Sequence, residues 1–134
     1  MTIPRPPSGA VAQYRRTGVE SQVIDADPHK LIALMLTGAI QRLQLAQAAI
    51  DQGDVPRKAK AASEAGAIID ALSACLDQEA GGDIADGLAA LYDYATRRLA
   101  IANAQNDGEG FKEVEGLLAE VEGAWRQIRP AEVA

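Results

Sequence analysis

The stretch that decides the fold is Leu76-Asp77-Gln78-Glu79-Ala80-Gly81-Gly82-Asp83-Ile84, and Leu91-Tyr92-Asp93-Tyr94, Arg97-Arg98-Leu99 and Ala102-Asn103 follow it. Two adjacent glycines tolerate the backbone conformations of a helix end, and Asp83 offers a carboxylate to the exposed amides of a new helix. From Asp83 onward, apolar residues recur at three- and four-residue spacing, which is typical of one buried helix stripe. The predicted stripe is Ile84, Leu88, Leu91, Ala95, Leu99 and Ala102.

A second apolar line runs along the same predicted helix, about one residue out of step with the first. It consists of Ala90, Tyr94 and Ile101. A helix with two apolar faces has two neighbours to contact, and in a small bundle the second neighbour can be another molecule. This line therefore indicates a binding surface.

Length and composition indicate the class of protein. A chain of 134 residues is expected to form one domain that needs neither a disulfide nor a metal to stay folded. Cys75 is its single cysteine, and no signal-type hydrophobic segment follows Met1, so we expect a cytoplasmic protein. The longest charge-free apolar stretch, residues 31–41, is too short to span a bilayer, and we expect no direct lipid binding.

The net charge of −6 is concentrated in the second half of the chain. An acidic half argues against nucleic acid as a partner, because affinity for nucleic acid comes largely from cations at phosphates. Arg57, Lys58 and Lys60 form the only basic cluster, and we interpret it as a solvated helix face.

The two ends of the chain differ from its middle in composition. Residues 1–10 contain Pro4, Pro6 and Pro7, which predicts a disordered tail. Residues 11–26 are weakly amphipathic and are interrupted by Gly18, so they are expected to form a cap that packs on the bundle or detaches from it. Residues 27–129 are predicted to form the bundle, and residues 130–134 a C-terminal tail.

Four amphipathic segments with short connectors predict an all-α, antiparallel up-down four-helix bundle. They run from Asp27-Pro28 to about Gln52, from about Val55 to Gln78, from about Asp83 to Gln105, and from the Asn106-Asp107-Gly108 turn to Pro130. The second helix is expected to point Ala61, Ala65, Ile68, Ile69, Leu72 and Leu76 inward, and Arg57, Lys58, Lys60, Glu64 and Asp70 outward. No segment alternates with a two-residue period, so we expect no sheet.

The reactive side chains do not predict an enzyme. His29 is the only histidine, which excludes a His-rich metal site, and no serine lies in a Gly-x-Ser-x-Gly context. Gly81-Gly82 lacks the Lys and Ser/Thr of a phosphate loop, and Cys75 is interpreted as a packing residue. We therefore expect no catalytic residue, no cofactor and no metal.

Two alternatives remain open at this point. Histidine phosphotransfer domains are also four-helix bundles, but their histidine lies mid-helix, whereas His29 lies beside Asp27 at a predicted helix start. The second alternative is a self-associating adaptor or regulatory bundle, whose extra apolar face is a homodimer interface.

The motifs taken together resemble the FliS family of flagellin-specific export chaperones. The resemblance extends from Tyr14 to Ile128 and is specific because the elements keep their order and spacing. Its elements are Tyr14, Ala26-Asp27-Pro28-His29-Lys30-Leu31-Ile32, Gly38-Ala39-Ile40, Gly53-Asp54, Leu76-Asp77, Gly81-Gly82-Asp83-Ile84-Ala85, Leu91-Tyr92-Asp93-Tyr94, Arg98-Leu99, Ala102-Asn103 and Ala124-Trp125. Two departures are Leu36-Thr37, where such proteins often have an aromatic residue and an acid, and Gly87, where they often have asparagine.

The resemblance implies a cytoplasmic bundle that binds the disordered C-terminal segment of flagellin and prevents premature polymerisation. It also implies delivery of this cargo to the export gate of the flagellar type III secretion apparatus, and leaves further flagellar regulators open as partners. In such proteins the N-terminal segment can lie over the cargo groove.

Candidate cargo-binding residues follow from apolar side chains that a groove between amphipathic helices could present. The candidates are Tyr14, Ile24, Leu31, Leu34, Ile68, Tyr94 and Ile101. For each of them, ordinary core packing is the alternative, and Tyr92 is interpreted as a core residue with its hydroxyl at the rim. A monomer or a weak homodimer is expected.

Overall fold

The structure is a computed structural model, and it describes residues 27–128, except for the side chains of residues 78–80. Four helices make up this range: α1 is Pro28–Asp51, α2 is Val55–Ala74, α3 is Gln78–Gln105 and α4 is Gly108–Gln127. No strand occurs between residues 27 and 128, so the all-α prediction is confirmed. Across the same range, no helix combines the length and the apolar character that a membrane span requires.

Local sequence explains where the first two helices begin and end. The Asp27 side chain caps α1 by accepting a hydrogen bond from the Lys30 amide at 2.7 Å, and Pro28 occupies a first-turn position where no backbone N–H is needed. Gly53 adopts a φ of +71° after α1, a left-handed conformation that glycine adopts without strain. Asp54 then caps α2 by accepting from the Arg57 amide at 3.1 Å.

The connection between α2 and α3 differs from the predicted one. Helix α2 ends at Ala74, four residues before the predicted end, and α3 already starts at Gln78. The predicted break falls inside α3, because Gly82 has φ 53° and ψ −128°. A Cβ atom at Gly81 would lie 2.7 Å from the Ala85 Cβ, so this glycine lets the chain pass close to the next turn.

The packing confirms the antiparallel up-down bundle. Helix α1 packs against α2 and α4, and α3 packs against the same two helices, so α1 and α3 are diagonal. Long-range hydrogen bonds give the direction: Thr37 near the start of α1 bonds to Glu122 near the end of α4, and Gln47 near the end of α1 bonds to Glu115. The core is made of Met35, Leu36, Ala39, Leu43, Ala46, Ala61, Ala62, Ala65, Ile68, Ile69, Ala71, Leu72, Tyr92, Ala95, Leu99, Ala102, Phe111, Val114 and Leu118.

Two predicted orientations are wrong. Ile84 is 71% exposed, whereas the next residue, Ala85, is 4% exposed, so the buried stripe of α3 starts one residue later than predicted. Lys58 was expected on the solvated face but is 4% exposed, because its ammonium reaches Asn103 at the end of α3.

A pair of aromatic rings joins the first turn of α1 to the last turn of α4. The His29 and Trp125 rings stack with centroids 4.8 Å apart and planes 13° from parallel. The Trp125 indole N–H donates to the His29 carbonyl at 2.9 Å, and His29 Nε2 bonds to the Trp125 carbonyl at 2.9 Å. Since a carbonyl oxygen only accepts, Nε2 carries the proton in this contact. We call this pair the aromatic clasp.

Candidate functional site

The outer surface of α3 carries the second apolar line that the sequence predicted. Tyr94 is 42% exposed, Ile101 is 49% exposed, and Ala90 is exposed as well. The opposite side of the same helix contributes Ala95, Leu99 and Ala102 to the core. We call Ala90, Tyr94 and Ile101 the outer α3 face.

A polar network fixes the outer α3 face relative to α4. The Tyr94 hydroxyl donates to Glu113 on α4, and the Arg98 Nε donates to the same carboxylate at 2.8 Å. Arg98 also forms an ion pair with Asp107 at 3.2 Å, in the connection between α3 and α4. The hydrogen bond to Glu113 holds the Tyr94 hydroxyl and so gives the ring a defined position.

The electrostatics keep this network in one protonation state around neutral pH. Donation to Glu113 is the main cause that raises the pKa of Tyr94, so its phenol remains a donor. The same hydrogen bond, followed by that from Arg98, lowers the pKa of Glu113, so its carboxylate remains charged. The pKa of Asp107 is lowered chiefly by its hydrogen bond with Arg98.

The other predicted cargo-binding residues lie elsewhere. Leu31 and Leu34 are partly buried near the start of α1, and Ile68 is 4% exposed in the core. Tyr14 and Ile24 lie outside the described residues. Because α1 and α3 are diagonal, the bundle places Leu31 and Leu34 on a different side from Tyr94 and Ile101. The described candidates therefore do not line a single groove.

Sequence reasoning missed the polar partners of Tyr94. Arg98 and Asp107 lie on either side of the Asn106 turn, and Glu113 follows about two helical turns later, so opposite charges face each other across a helical hairpin. This charge pattern could have predicted the ion pairs between α3 and α4 from the sequence. Two further apolar residues, Leu45 and Val55, are also exposed, at 46% and 51%, and isolated exposed residues of this kind carry no sequence signal.

The reactive side chains hold structural positions. His29 takes part in the aromatic clasp, and burial raises the pKa of the Cys75 thiol. Burial, with a smaller effect of Cys75, raises the pKa of Tyr92 to about 12, which fits its interpretation as a core residue. Between residues 27 and 128, no group of three His, Cys, Asp or Glu side chains could hold a metal ion.

Comparison with known proteins gives the family. The family model described as "Flagellar protein FliS" matches residues 10–132. This chain belongs to the FliS family. It is 47% identical over 124 residues to a flagellar secretion chaperone FliS of Salmonella typhimurium, with 92% of both chains covered.

Other FliS relatives are similar over nearly the same length. A flagellar secretion chaperone FliSB of Pseudomonas aeruginosa is 40% identical, with 89% of this chain and 94% of the relative covered. A flagellar secretion chaperone FliS of Vibrio cholerae is 38% identical, with 91% and 90% covered. The resemblance to FliS that the sequence motifs indicated is thus confirmed.

The two departures from the common FliS pattern have clear structural settings. Leu36 is completely buried in the core, and the Thr37 hydroxyl donates to Glu122 on α4. Gly87 is exposed on α3, with open space where a Cβ atom would lie. Both departures are compatible with the FliS bundle. Leu36 fills the core, Thr37 bonds to Glu122, and a side chain at position 87 would meet no neighbour.

Proposed function

We propose that this protein is a cytoplasmic, non-enzymatic chaperone that binds the disordered C-terminal segment of flagellin. By covering this segment, it prevents premature polymerisation and delivers flagellin to the export gate of the flagellar type III secretion apparatus. Membership of the FliS family supports the chaperone role. The outer α3 face is the observation that carries cargo binding, since it exposes Tyr94 and Ile101 on a helix whose opposite side is already packed.

The positions of the candidate residues favour an extended cargo. A short helix lying in one groove could contact either the outer α3 face or the α1 side, but not both, because α1 and α3 are diagonal. A disordered segment can cover several faces by wrapping around a bundle, and it loses conformational entropy when it does so. Tyr94 and Ile101 would then anchor one part of the cargo, and Leu31 and Leu34 another.

The N-terminal segment completes the proposal. Residues 11–26, with Tyr14 and Ile24 as anchors, would cover part of the cargo surface and move aside when flagellin binds. Asp27 follows this segment directly and Leu31 lies one helical turn further on, so the end of the segment would lie near the α1 candidates. Because Leu31 and Leu34 are only partly buried, a cap or a cargo segment could bury them further.

Binding assays with two forms of flagellin test the proposal. Intact flagellin should bind the full-length protein, and flagellin that lacks its C-terminal segment should not. Equal binding of both forms would refute the proposed cargo site.

A charge on the outer α3 face tests its role in binding. Ile101→Asp should weaken binding about tenfold or more, because it places a charge in the buried part of the interface. Ala119→Asp is the matched control, since it adds the same charge at an exposed position of α4 away from this face. Equal affinities of the two variants would remove the outer α3 face from the cargo site.

Self-association through the outer α3 face is the rival interpretation. A stable dimer usually buries about 800 Å² on each partner, which is more than three neighbouring side chains expose. The face is therefore better suited to one part of a longer interface. Sedimentation at several concentrations tests this, and a dimer that Ile101→Asp dissociates would favour the rival.

A further inference from the structure

Among the side chains that the structure describes, Lys58 is the one charged side chain that is buried. Its ammonium donates to the carbonyl and to the side-chain oxygen of Asn103, both at 2.8 Å. An ammonium has three N–H donors, and two are used here. None of the ion pairs among the described residues includes Lys58. The ammonium is therefore bonded to the partial negative charges at the end of α3, and among the described residues it forms no ion pair with a carboxylate.

A cleft opens beside Lys58 at one end of the bundle. It has a volume of about 160 Å³ and is lined by Ile50, Gly53, Val55, Lys58 and Asn106. These residues come from the end of α1, the connection to α2, the start of α2 and the connection after α3. Val55 is 51% exposed, and the space around Gly53 is open, so a group can enter from solvent. Most of the lining is apolar, and Lys58 supplies its only formal charge.

We propose that this cleft binds a carboxylate on a peptide segment of a partner protein. A carboxylate would complete the hydrogen bonding of the Lys58 ammonium and balance its charge, while the carbon atoms next to it contact Ile50 and Val55. A phosphate group suits the cleft less well, because it carries more charge and three strong acceptor oxygens, whereas the cleft offers one ammonium.

The charge around the cleft supports an acidic partner. Arg57 and Lys60 are exposed in the first turns of α2, and the ion pairs of the described residues include neither. Three carboxylates neighbour the lining residues: Asp54 caps α2 through the Arg57 amide, Asp107 pairs with Arg98, and Asp51 is exposed at the end of α1. In a chain with a net charge of −6, this is the one basic cluster, so it would attract an acidic segment. The inference does not depend on flagellin being the cargo.

Amide shifts of the isotopically labelled full-length protein test the carboxylate site. The probes are acetyl-Ala-Glu-Ala-amide, which has a side-chain carboxylate, acetyl-Ala-Gln-Ala, which has a terminal one, and acetyl-Ala-Gln-Ala-amide, which has none. We expect saturable shifts at Gly53, Val55 and Asn106 with at least one carboxylate probe, and none with the neutral probe. The responding probe identifies the source of the carboxylate. Equal shifts with the neutral probe, or tighter binding of inorganic phosphate, would overturn the proposal.

Variants establish whether Lys58 is responsible. Lys58→Met should weaken binding of the responding probe about tenfold, which is ~1.4 kcal/mol. Lys60→Met, which removes the same charge from an exposed position, should change it much less. If Lys58→Met does not fold, Val55→Glu provides the test. Position 55 is exposed at the edge of the cleft, so the new carboxylate would compete with the probe for Lys58. Val55→Gln, which adds no charge, is the control. Unchanged binding in Lys58→Met, or in Val55→Glu relative to Val55→Gln, would refute the site.

Discussion

The aromatic clasp should contribute measurably to stability. His29→Ala removes a hydrogen bond to the Trp125 carbonyl, worth about 1 kcal/mol, and a stacked ring contact, worth about another 1 kcal/mol. The expected loss in the free energy of unfolding is therefore about 2 kcal/mol. Trp125→Phe keeps a ring for stacking but removes the N–H that donates to the His29 carbonyl, so its expected loss is about 1 kcal/mol.

Urea unfolding followed by circular dichroism measures both losses. With a slope of about 1.5 kcal/mol per molar urea, His29→Ala should lower the midpoint by about 1.3 M. A double-mutant cycle that combines His29→Ala with Trp125→Ala, each of which removes one ring, isolates the contact between the rings, and these two changes should be non-additive by at least about 0.5 kcal/mol. Trp125 is the single tryptophan, so its fluorescence reports directly on the clasp. A His29→Ala loss below about 0.5 kcal/mol, or additive effects, would refute the reasoning.

Three further predictions concern the core, a helix surface and the response to acid. Leu43→Ala should cost about 3 kcal/mol in urea unfolding, because Leu43 is completely buried; a loss under about 1 kcal/mol would contradict the described core. Gly87→Ala should stabilise the protein by about 0.5 kcal/mol and raise Tm, since the position is helical and open; a lower Tm would contradict this. The pKa of Glu113 is lowered, so its contribution to stability is present above its ordinary pKa of 4.5 and is lost as the pH falls through the lower folded-state pKa. Glu113→Gln should therefore lose less stability than the unchanged protein between about pH 5 and pH 3, and equal losses would exclude this contribution.

The sequence predicted the helices well because each has a local signal. Asp27-Pro28 and Gly53-Asp54 lie at the ends where caps and turns require them. The register of α3 was predicted less well. In the predicted stripe, which starts at Ile84, the three- and four-residue spacings do not alternate regularly. They alternate strictly in the stripe that starts at Ala85 and continues with Leu88, Tyr92, Ala95, Leu99 and Ala102. The strict alternation of three- and four-residue spacings, rather than the large apolar side chain of Ile84, identifies the side of α3 that is buried.

The candidate site was only partly accessible to sequence reasoning. The exposure of Tyr94 and Ile101 followed from helical periodicity, which is a local property. The burial of Lys58 did not, because it depends on Asn103, a residue 45 positions away on another helix. Likewise, Ile68 and Leu31 have similar apolar patterns in sequence, yet only Ile68 is fully enclosed, since enclosure depends on how neighbouring helices meet.

The contact between α1 and α4 has a consequence for how the protein is made on the ribosome. His29 and Trp125 are 96 positions apart, and Thr37 and Glu122 are 85 apart, so one side of α1 has no partner until α4 has been translated. Until then, α1 can pair only with α2, and apolar surface that α4 later covers stays accessible to other nascent chains. The bundle should therefore close only after α4 has left the ribosome, and a newly made copy would reach its complete fold only at that stage.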